Sequence, residues 1–279
     1  MSDQAIVMNP KPDLNVAICG VGAIGLKVAK CLDAGVIHGM VLSAVAARDH
    51  DKLKRNLNGF RRQPLILPVE QLGQEADVVI ECAPKSVFLA VADSAINNGC
   101  TFMPLSVGAL LDNMDLIDKA RANNAVIFVP TGALLGLDAV KAVSEDEVNS
   151  ITLVTRKPPV GLTGAPHLVK NNINVENLTD ALQVFSGTAK AAARAFPANV
   201  NVAAALALAG IGPDRTTVEV WADPAVSKNM HTIKVDAAAS SFTMSIENVP
   251  SETPATGKIT ALSVIASLRR LTAPLIVGT

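Results

Sequence analysis

Short apolar runs and stretches with helical spacing alternate through the first half of the chain. Strands are predicted at 15–20, 41–47, 64–68, 77–82, 100–105 and 125–129, and helices at 23–34, 50–57, 85–98 and 112–123. Strands that alternate with helices are typical of βαβ units, which build a mostly parallel sheet with right-handed crossovers. We therefore predict an α/β fold whose N-terminal part is a doubly wound parallel sheet.

The pattern changes after residue 138. A helix is predicted at 137–143, a strand at 150–155, helices at 176–195 and 200–209, strands at 216–222, 231–236 and 242–248, and a last helix at 258–271. Strands that follow one another closely, with turn residues between them, favour an antiparallel sheet with helices on one face. This part of the chain predicts a second α+β domain with a largely antiparallel sheet.

The first predicted strand runs into a glycine turn at the start of a helix, in the segment NVAICGVGAIGLKVAK (15–30). Such a turn needs one glycine for the bend, one for close approach of a pyrophosphate and one for helix packing. The helix start adds unpaired N–H groups and the positive end of the helix dipole. An ordinary βα turn can show the same glycines, but here the strand and helix flank them in the required order. We predict a Rossmann dinucleotide site that contains Gly20, Gly22, Ala23, Ile24, Gly25 and, after the fourth strand, Ala83.

These patterns predict two domains. Residues 1–138 form the dinucleotide-binding domain, and residues 139–257 form a domain for substrate binding, catalysis and oligomerisation. The C-terminal segment 258–279 carries a helix that we expect to pack back on the first domain. A chain of 279 residues is long for one hydrophobic core and sufficient for two.

The end of the second predicted strand bears on cofactor preference. An NAD-selective site places an acidic residue about twenty positions after the glycines, where it binds the ribose hydroxyls. Here the strand tip is Ala46-Ala47, followed by Arg48 and Asp49. An arginine can pair with a 2′-phosphate through two hydrogen bonds, and Asp49 can still reach a ribose. We predict that NADP is accepted and NAD as well; Arg48 either contacts the cofactor or is a solvated loop cation.

Composition excludes several partners. The net charge is −1, from 24 basic and 25 acidic residues, and aromatic residues make up 3% of the chain, so no basic or stacking surface for nucleic acid is expected. The longest apolar stretch, 200–211, is too short to span a bilayer, and the N-terminus shows no secretory signal. The four cysteines have no CxxC spacing and fit buried thiols in a reducing compartment. We predict a cytoplasmic protein with no membrane partner.

The histidines do not form a metal-binding pattern. His38 and His50 are expected at the surface, and His167 follows a Gly-Ala-Pro turn from which it can line a cleft. His231 opens a predicted strand, where it is either a surface residue or a functional one. Because no HxxH, HxH or cysteine partner is present, we predict no metal. No GxSxG elbow supports a serine hydrolase.

Seven segments spread over nearly the whole chain match one family in its order. They are ICGVGAIG (18–25), ECAPKSV (81–87), PTGALLGLDAV (130–140), TRKPP (155–159), FPANVNVAAALALAG (196–210), HTIKV (231–235) and TALSVIASLR (260–269). Together they resemble the L-aspartate dehydrogenase family. The resemblance implies a Rossmann domain followed by an α/β domain like that of homoserine dehydrogenases.

The resemblance also implies an activity and three site residues. The activity is NAD(P)-dependent oxidation of L-aspartate to iminoaspartate, with oxaloacetate and ammonia after hydrolysis, or the reverse amination. Iminoaspartate for NAD biosynthesis is one implied role. The family's nicotinamide contacts map to Ala133 and Asn201, and its catalytic histidine maps to His231.

A dianionic substrate needs cationic or N–H partners. The candidates near the matching segments are Lys157, Arg156, Lys258 and His167. A homodimer is expected because two-fold dimers are the commonest assembly.

The sequence alone leaves other functions open. Acylating and semialdehyde dehydrogenases need a thiolate, but the loop Pro130–Ala133 has no cysteine and Cys82 is predicted in another region. An imine reductase of the dihydrodipicolinate reductase type uses the same hydride chemistry on another substrate. A dinucleotide-sensing module without turnover needs the glycine turn but no proton acceptor.

Overall fold

The computed structural model describes residues 13–197, 201–250 and 257–279. Parts of three predictions, residues 1–12 of the first domain, residue 200 of a helix and residues 251–256 of the second domain, lie outside these ranges. No helix in the described ranges is both long enough and apolar enough to cross a membrane.

A six-stranded, all-parallel sheet is built from β1 (Leu14–Cys19), β2 (Met40–Ala46), β3 (Leu65–Ile66), β4 (Val78–Glu81), β5 (Thr101–Pro104) and β6 (Val126–Ile127). Its order is β3-β2-β1-β4-β5-β6, so the order reverses between the neighbours β1 and β4. In open α/β sheets ligands bind at such a reversal, beyond the carboxyl ends of the strands. The four residues of β4 are all buried, as expected for a strand covered on both faces.

The helices of this half are α1 (Ala23–Asp33), α2 (His50–Leu57), α3 (Phe88–Asn97), α4 (Val107–Leu111), α5 (Leu116–Ala122) and α6 (Leu137–Val143). The prediction for α2 is confirmed. Two predicted helices are partly wrong: 85–98 begins with a 3-10 turn at Lys85–Val87, and 112–123 is shortened to α5, whereas α4 lies before it and was not predicted. The five residues of α4 are four apolar residues and one glycine (VGALL), which lack amphipathic spacing, so the sequence did not predict this helix.

A second, five-stranded sheet is built from β7 (Val148–Lys157), β8 (Leu182–Thr188), β9 (Thr217–Ala222), β10 (Asn229–Ala237) and β11 (Ser241–Asn248). Its order is β11-β10-β7-β9-β8. The β7–β9 pair is parallel and the other three pairs are antiparallel, so the sheet is mixed but largely antiparallel. The helices of this half are α7 (Pro166–Lys170), α8 (Ala189–Ala195), α9 (Asn201–Ala209) and α10 (Lys258–Thr272).

The predicted helix at 176–195 is wrong up to residue 188, because 176–181 is not helical and Leu182–Thr188 forms the edge strand β8. Val184 of this strand is buried in the core, and the helix starts only after Thr188, whose hydroxyl accepts a hydrogen bond from the Ala191 amide. A threonine that caps a helix marks its start. The alanines that follow made the whole segment look helical in the sequence.

Helices α9 and α10 pack against helices of the N-terminal half. Residues Ala203–Ala207 of α9 are all buried, which lets α9 pack closely on α4 and α6. Helix α10 contacts α1, and its Val264 and Leu268 lie in the same apolar cluster as Val28 and Leu32. The start of α9 and the start of α10 are thereby placed at the same end of the parallel sheet.

Candidate active site

A cavity of about 230 Å³ lies between the carboxyl ends of the parallel strands and one end of the second sheet. The first sheet contributes the segments after β4, β5 and β6, and the second sheet contributes strand ends. The residues that line it include Glu81, Cys82, Ala83, Ser106, Ala133, Lys157, Asn201, Asn229, His231 and Asn248.

The glycine turn after β1 has the geometry that a dinucleotide requires. Gly20 has a φ of +92°, and a Cβ there would lie 2.5 Å from the Cys82 carbonyl oxygen. A Cβ on Gly25 would overlap the Gly20 carbonyl oxygen, whereas the space beside Gly22 is open to 4 Å. Gly22 caps α1 with no side-chain hydrogen bond, and the first turn carries no acidic residue. Open space beside uncapped helix N–H groups fits a bound pyrophosphate.

These glycines give a matched pair of variants. We expect Gly25→Ala to lower the melting temperature, because its Cβ has no room against the Gly20 backbone. Gly22→Ala should keep the wild-type melting temperature, since its Cβ enters open space, but weaken NAD(P) binding by roughly tenfold or more. Thermal unfolding and calorimetric titration with cofactor measure both effects. Wild-type cofactor affinity in Gly22→Ala would contradict the assignment of the turn.

Glu81, at the end of β4, holds two loops of the cavity wall together. Its Oε1 accepts a hydrogen bond from the Ala83 amide at 2.9 Å, and its Oε2 accepts one from the Ser106 amide at 2.9 Å. The Ser106 hydroxyl donates to Oε1 at 3.1 Å. Burial raises the pKa of this carboxyl group, and the hydrogen bonds oppose that rise. Sequence reasoning missed Glu81, although a carboxylate directly after the apolar run Val78–Ile80 was a usable signal.

The two predicted nicotinamide contacts lie in the cavity wall. Oδ1 of Asn201, at the start of α9, accepts a hydrogen bond from the Gly108 amide at 3.0 Å, so the residue offers a ligand its Nδ2 donor. The Ala133 carbonyl accepts a hydrogen bond from Asn248 Nδ2 at 3.0 Å. Both residues are thus held by hydrogen bonds to distant segments of the chain.

His231 is buried in the cavity wall at the start of β10. Its side chain is aligned across from Thr155 of β7, and the Thr155 hydroxyl lies 3.1 Å from Nδ1. Burial, and then the positive charge of Lys157, lower the pKa of His231 from 6.5 to about 4. The imidazole is therefore neutral at physiological pH and able to accept a proton.

Lys157, the last residue of β7, is the cationic group of the same wall. Its side chain is 5% exposed, and burial lowers its pKa from 10.5 to about 8. At neutral pH it is mostly protonated and offers a positive charge to the cavity. Lys157 and Thr155 occupy alternate positions of one strand, so Lys157 and His231 share a face of the sheet.

Four other candidates are not among the residues that line this cavity. Arg156 pairs with Asp223 at 2.9 Å and lies over the Trp221 ring at 4.8 Å. His167 packs between Phe185 and Phe196, with ring centroids 5.3 and 5.5 Å away. The two remaining cations are exposed: Lys258 at the first position of α10 and Arg48 beyond the end of β2. The structure thus brings Lys157, but not Arg156, His167 or Lys258, to His231.

Two neighbouring residues have positions or contacts that were not predicted from the sequence. Asp49 caps α2 by accepting a hydrogen bond from the Lys52 amide at 2.9 Å, so it serves the helix start. Cys82 was expected away from the site, but it lines the cavity because β4 ends at the sheet's reversal. Burial raises the pKa of this thiol well above its ordinary value, which disfavours the thiolate that thioester chemistry needs.

Both halves of the chain match known family models. Residues 20–130 match the model described as "Homoserine dehydrogenase, NAD binding domain", and residues 138–271 match the one described as "Aspartate dehydrogenase, C-terminal". A crystal structure of aspartate dehydrogenase from Thermotoga maritima has a TM-score of 0.72 and 24% identity, and the match covers 95% of this chain and 99% of that chain. This likeness shows the shared fold, and the predicted α/β class is confirmed.

Curated relatives match over nearly the full length. L-aspartate dehydrogenase of Bradyrhizobium diazoefficiens is 56% identical over 96% of this chain and 95% of its own length. L-aspartate dehydrogenase 3 of Bordetella bronchiseptica is 48% identical over 98% of this chain and 100% of its own length. The resemblance seen in the sequence motifs is confirmed. With its NAD-binding domain and its near full-length relatives, the chain belongs to the L-aspartate dehydrogenase family.

Proposed function

We propose that this chain catalyses the NAD(P)-dependent oxidation of L-aspartate to iminoaspartate, which water converts to oxaloacetate and ammonia, or the reverse amination. One observation carries the proposal most directly. A neutral imidazole and a buried ammonium group, His231 and Lys157, share one cavity with the loops beyond a dinucleotide turn. The family membership of the chain supports the same reaction.

The residues around the glycine turn and the loop at Ala133 would hold the cofactor, with Asn201 offering Nδ2 on the nicotinamide side. When bound, an oxidised nicotinamide accepts the hydride that leaves the substrate Cα. Glu81 fixes the backbone at Ala83 and Ser106, which stiffens the wall against which the ring would rest. Such fixed positioning brings the reacting carbon atoms together.

His231 is the proposed proton acceptor. Hydride can leave Cα only when the amino group is neutral, because its lone pair must form the C=N bond. A neutral His231 takes the proton from the substrate ammonium. When Nδ1–H donates to the Thr155 hydroxyl, the Nε2 lone pair remains to accept that proton. The imidazolium can later return a proton during hydrolysis of the imine.

Lys157 is the proposed partner of a substrate carboxylate. A charge-assisted hydrogen bond from a buried ammonium group to a carboxylate is stronger than one between neutral groups. Binding of the anion would also raise the pKa of Lys157 and keep the group protonated. Arg156, His167 and Lys258 would have to change position to take this role.

Two other functions make different demands on the site. An imine reductase of the dihydrodipicolinate reductase type would act on a cyclic imine, and a sensing module would bind the dinucleotide without turnover. The experiment is a panel assay in which purified protein, NAD or NADP and each of several amino acids are followed by NAD(P)H absorbance. Reduction of cofactor by L-aspartate supports the proposal. Binding of cofactor without reduction by any substrate, or activity with cyclic imines alone, would overturn it.

Arg48 is the proposed determinant of NADP acceptance. Its exposed guanidinium follows β2, while Asp49 is engaged as the cap of α2. We expect Arg48→Ala to raise the KM for NADP by roughly tenfold and to leave the KM for NAD nearly unchanged. Steady-state kinetics with both cofactors measure this difference. An unchanged KM for NADP would remove Arg48 from the site.

We also propose that the chain forms a homodimer and is located in the cytoplasm. All four cysteines are free thiols, which supports a reducing compartment. Light scattering on purified protein gives the mass of the assembly, and a mass of one chain would overturn the dimer.

A further inference from the structure

Asn248 has an unusual combination of burial and incomplete hydrogen bonding. It is the last residue of β11, it is 4% exposed, and it lines the cavity. Its Oδ1 is buried without a hydrogen-bond partner, and within the described part of the chain it is alone in this respect. A buried carbonyl oxygen without a donor is unfavourable unless a bound molecule supplies one.

The orientation of this amide is fixed by its neighbours. The Ala133 carbonyl is an acceptor, so the Asn248 atom 3.0 Å from it must be the Nδ2 donor, and Oδ1 is the other atom. The amide also packs against Gly257, where an added Cβ would lie 3.2 Å from Oδ1. Rotation that exchanged the two atoms would place two acceptors together. The acceptor is therefore a fixed feature of the wall.

Asn248 and His231 face the same region of the cavity. Asn248 pairs with Asn229 across β10 and β11, and His231 pairs with Ile246 two positions away, so both side chains lie on one face of the sheet. Diagonal neighbours of this kind are about 7–8 Å apart. That separation leaves space for one small polar group between an imidazole and an amide oxygen.

We propose that Oδ1 of Asn248 accepts a hydrogen bond from the substrate amino group and so selects 2-amino over 2-hydroxy dicarboxylates. The inference rests on the proposed function. The ammonium gives one proton to His231, and the neutral amine keeps two N–H bonds, one of which reaches Asn248. The Cα–H electron pair leaves as hydride to the nicotinamide while the nitrogen lone pair forms C=N. The iminium product still has N–H bonds for Asn248.

A 2-hydroxy analogue such as L-malate cannot satisfy both groups. Its hydroxyl has a single proton, which His231 must take as the C=O bond forms. Oδ1 would then remain buried without a donor. Sites that leave a buried polar group unpaired in this way discriminate strongly against the analogue.

The test compares L-aspartate and L-malate as substrates of the full-length wild type, Asn248→Leu and Asn248→Asp. In Asn248→Leu, kcat/KM for aspartate should fall by roughly 10²-fold and that for malate should change much less, so the preference ratio collapses. Asn248→Asp retains an acceptor oxygen and should keep more of the preference than Asn248→Leu. Thermal unfolding reports on general damage, and the KM for cofactor reports on a role of Asn248 in cofactor binding.

The outcomes separate this inference from the proposed function. An equal loss of kcat/KM for aspartate and malate in Asn248→Leu would overturn the inference. So would a raised KM for cofactor with an unchanged aspartate-to-malate preference ratio, because Oδ1 would then be assigned to the nicotinamide carboxamide. No oxidation of aspartate by the wild type would overturn the proposed function and this inference with it. Wild-type turnover with an unchanged ratio in Asn248→Leu would overturn the inference alone.

Discussion

His231→Ala should lower kcat for L-aspartate oxidation by roughly 10²-fold or more, the usual scale of general acid–base assistance. The buried imidazole is the proposed acceptor of the ammonium proton, and alanine has no group to replace it. Cofactor affinity should stay near that of the wild type, because the glycine turn and Asn201 are untouched. The measurements are steady-state kinetics and calorimetric titration with cofactor.

His38→Ala is the matched control, since His38 is exposed and not among the residues that line the cavity. It should keep the wild-type kcat. Near-wild-type turnover in His231→Ala would remove the imidazole from the reaction. The pH profile adds a second readout: because the pKa of His231 is lowered to about 4, the acid limb of kcat/KM should lie near that pH and not near 6.5.

Lys157→Met should have opposite effects on activity and stability. Loss of the ammonium should lower kcat/KM for aspartate by roughly 10²-fold, chiefly through KM, since a charge-assisted contact to a carboxylate disappears. The same change should raise the free energy of unfolding at pH 7 by roughly 1–3 kcal/mol, because the folded protein no longer holds a buried charge. Kinetics and denaturant unfolding measure the two effects.

The sign of the stability effect depends on pH. Burial lowers the pKa of Lys157 from 10.5 to about 8, so below pH 8 both folded and unfolded chains carry the charge and the folded state is penalised. The penalty decreases as the pH rises from 8 toward 10.5, and the advantage of Lys157→Met should decrease with it. Lys234→Met, at an exposed position of β10, is the control that should change neither property. Lower stability of Lys157→Met at pH 7 would contradict a net penalty for holding this charge in the folded protein.

The charge of Lys157 and the protonation of His231 should also be coupled. The positive charge of Lys157 contributes to the low pKa of His231, so Lys157→Met should move the acid limb of kcat/KM to higher pH. An unshifted limb would mean that the two groups do not share an electrostatic environment.

The first domain was predictable from sequence because each signal was local. A buried strand, three glycines with distinct steric duties and a helix start follow one another within 15–30, and the parallel order follows from the alternation of elements. Edge strand β8 was not predictable in this way. Its position depends on pairing with β9, thirty residues later, while its own Leu182-Gln183 and the alanines beyond resemble a helix.

In the candidate site, too, residues with a local sequence signal were predicted and residues whose role depends on distant segments were not. The glycines stood out by their motif, whereas His231 was assigned only through the family resemblance of its segment HTIKV. Asn248, Glu81 and Thr155 did not, because their importance comes from where a strand ends or which residue lies across from it. The alternation Phe242, Met244, Ile246 toward Asn248 was visible in the sequence, and a polar residue at the end of an inward-facing row is the signal that was available.

The most direct test of the account follows the hydrogen on the substrate Cα. L-Aspartate carrying deuterium at Cα is incubated with the purified protein and NAD or NADP, and the reduced cofactor is examined by NMR, with ammonia measured in parallel. Direct hydride transfer from Cα predicts deuterium at C4 of the reduced nicotinamide and one ammonia for each cofactor reduced. Reduced cofactor without deuterium, or no reduction of either cofactor by aspartate, would contradict it.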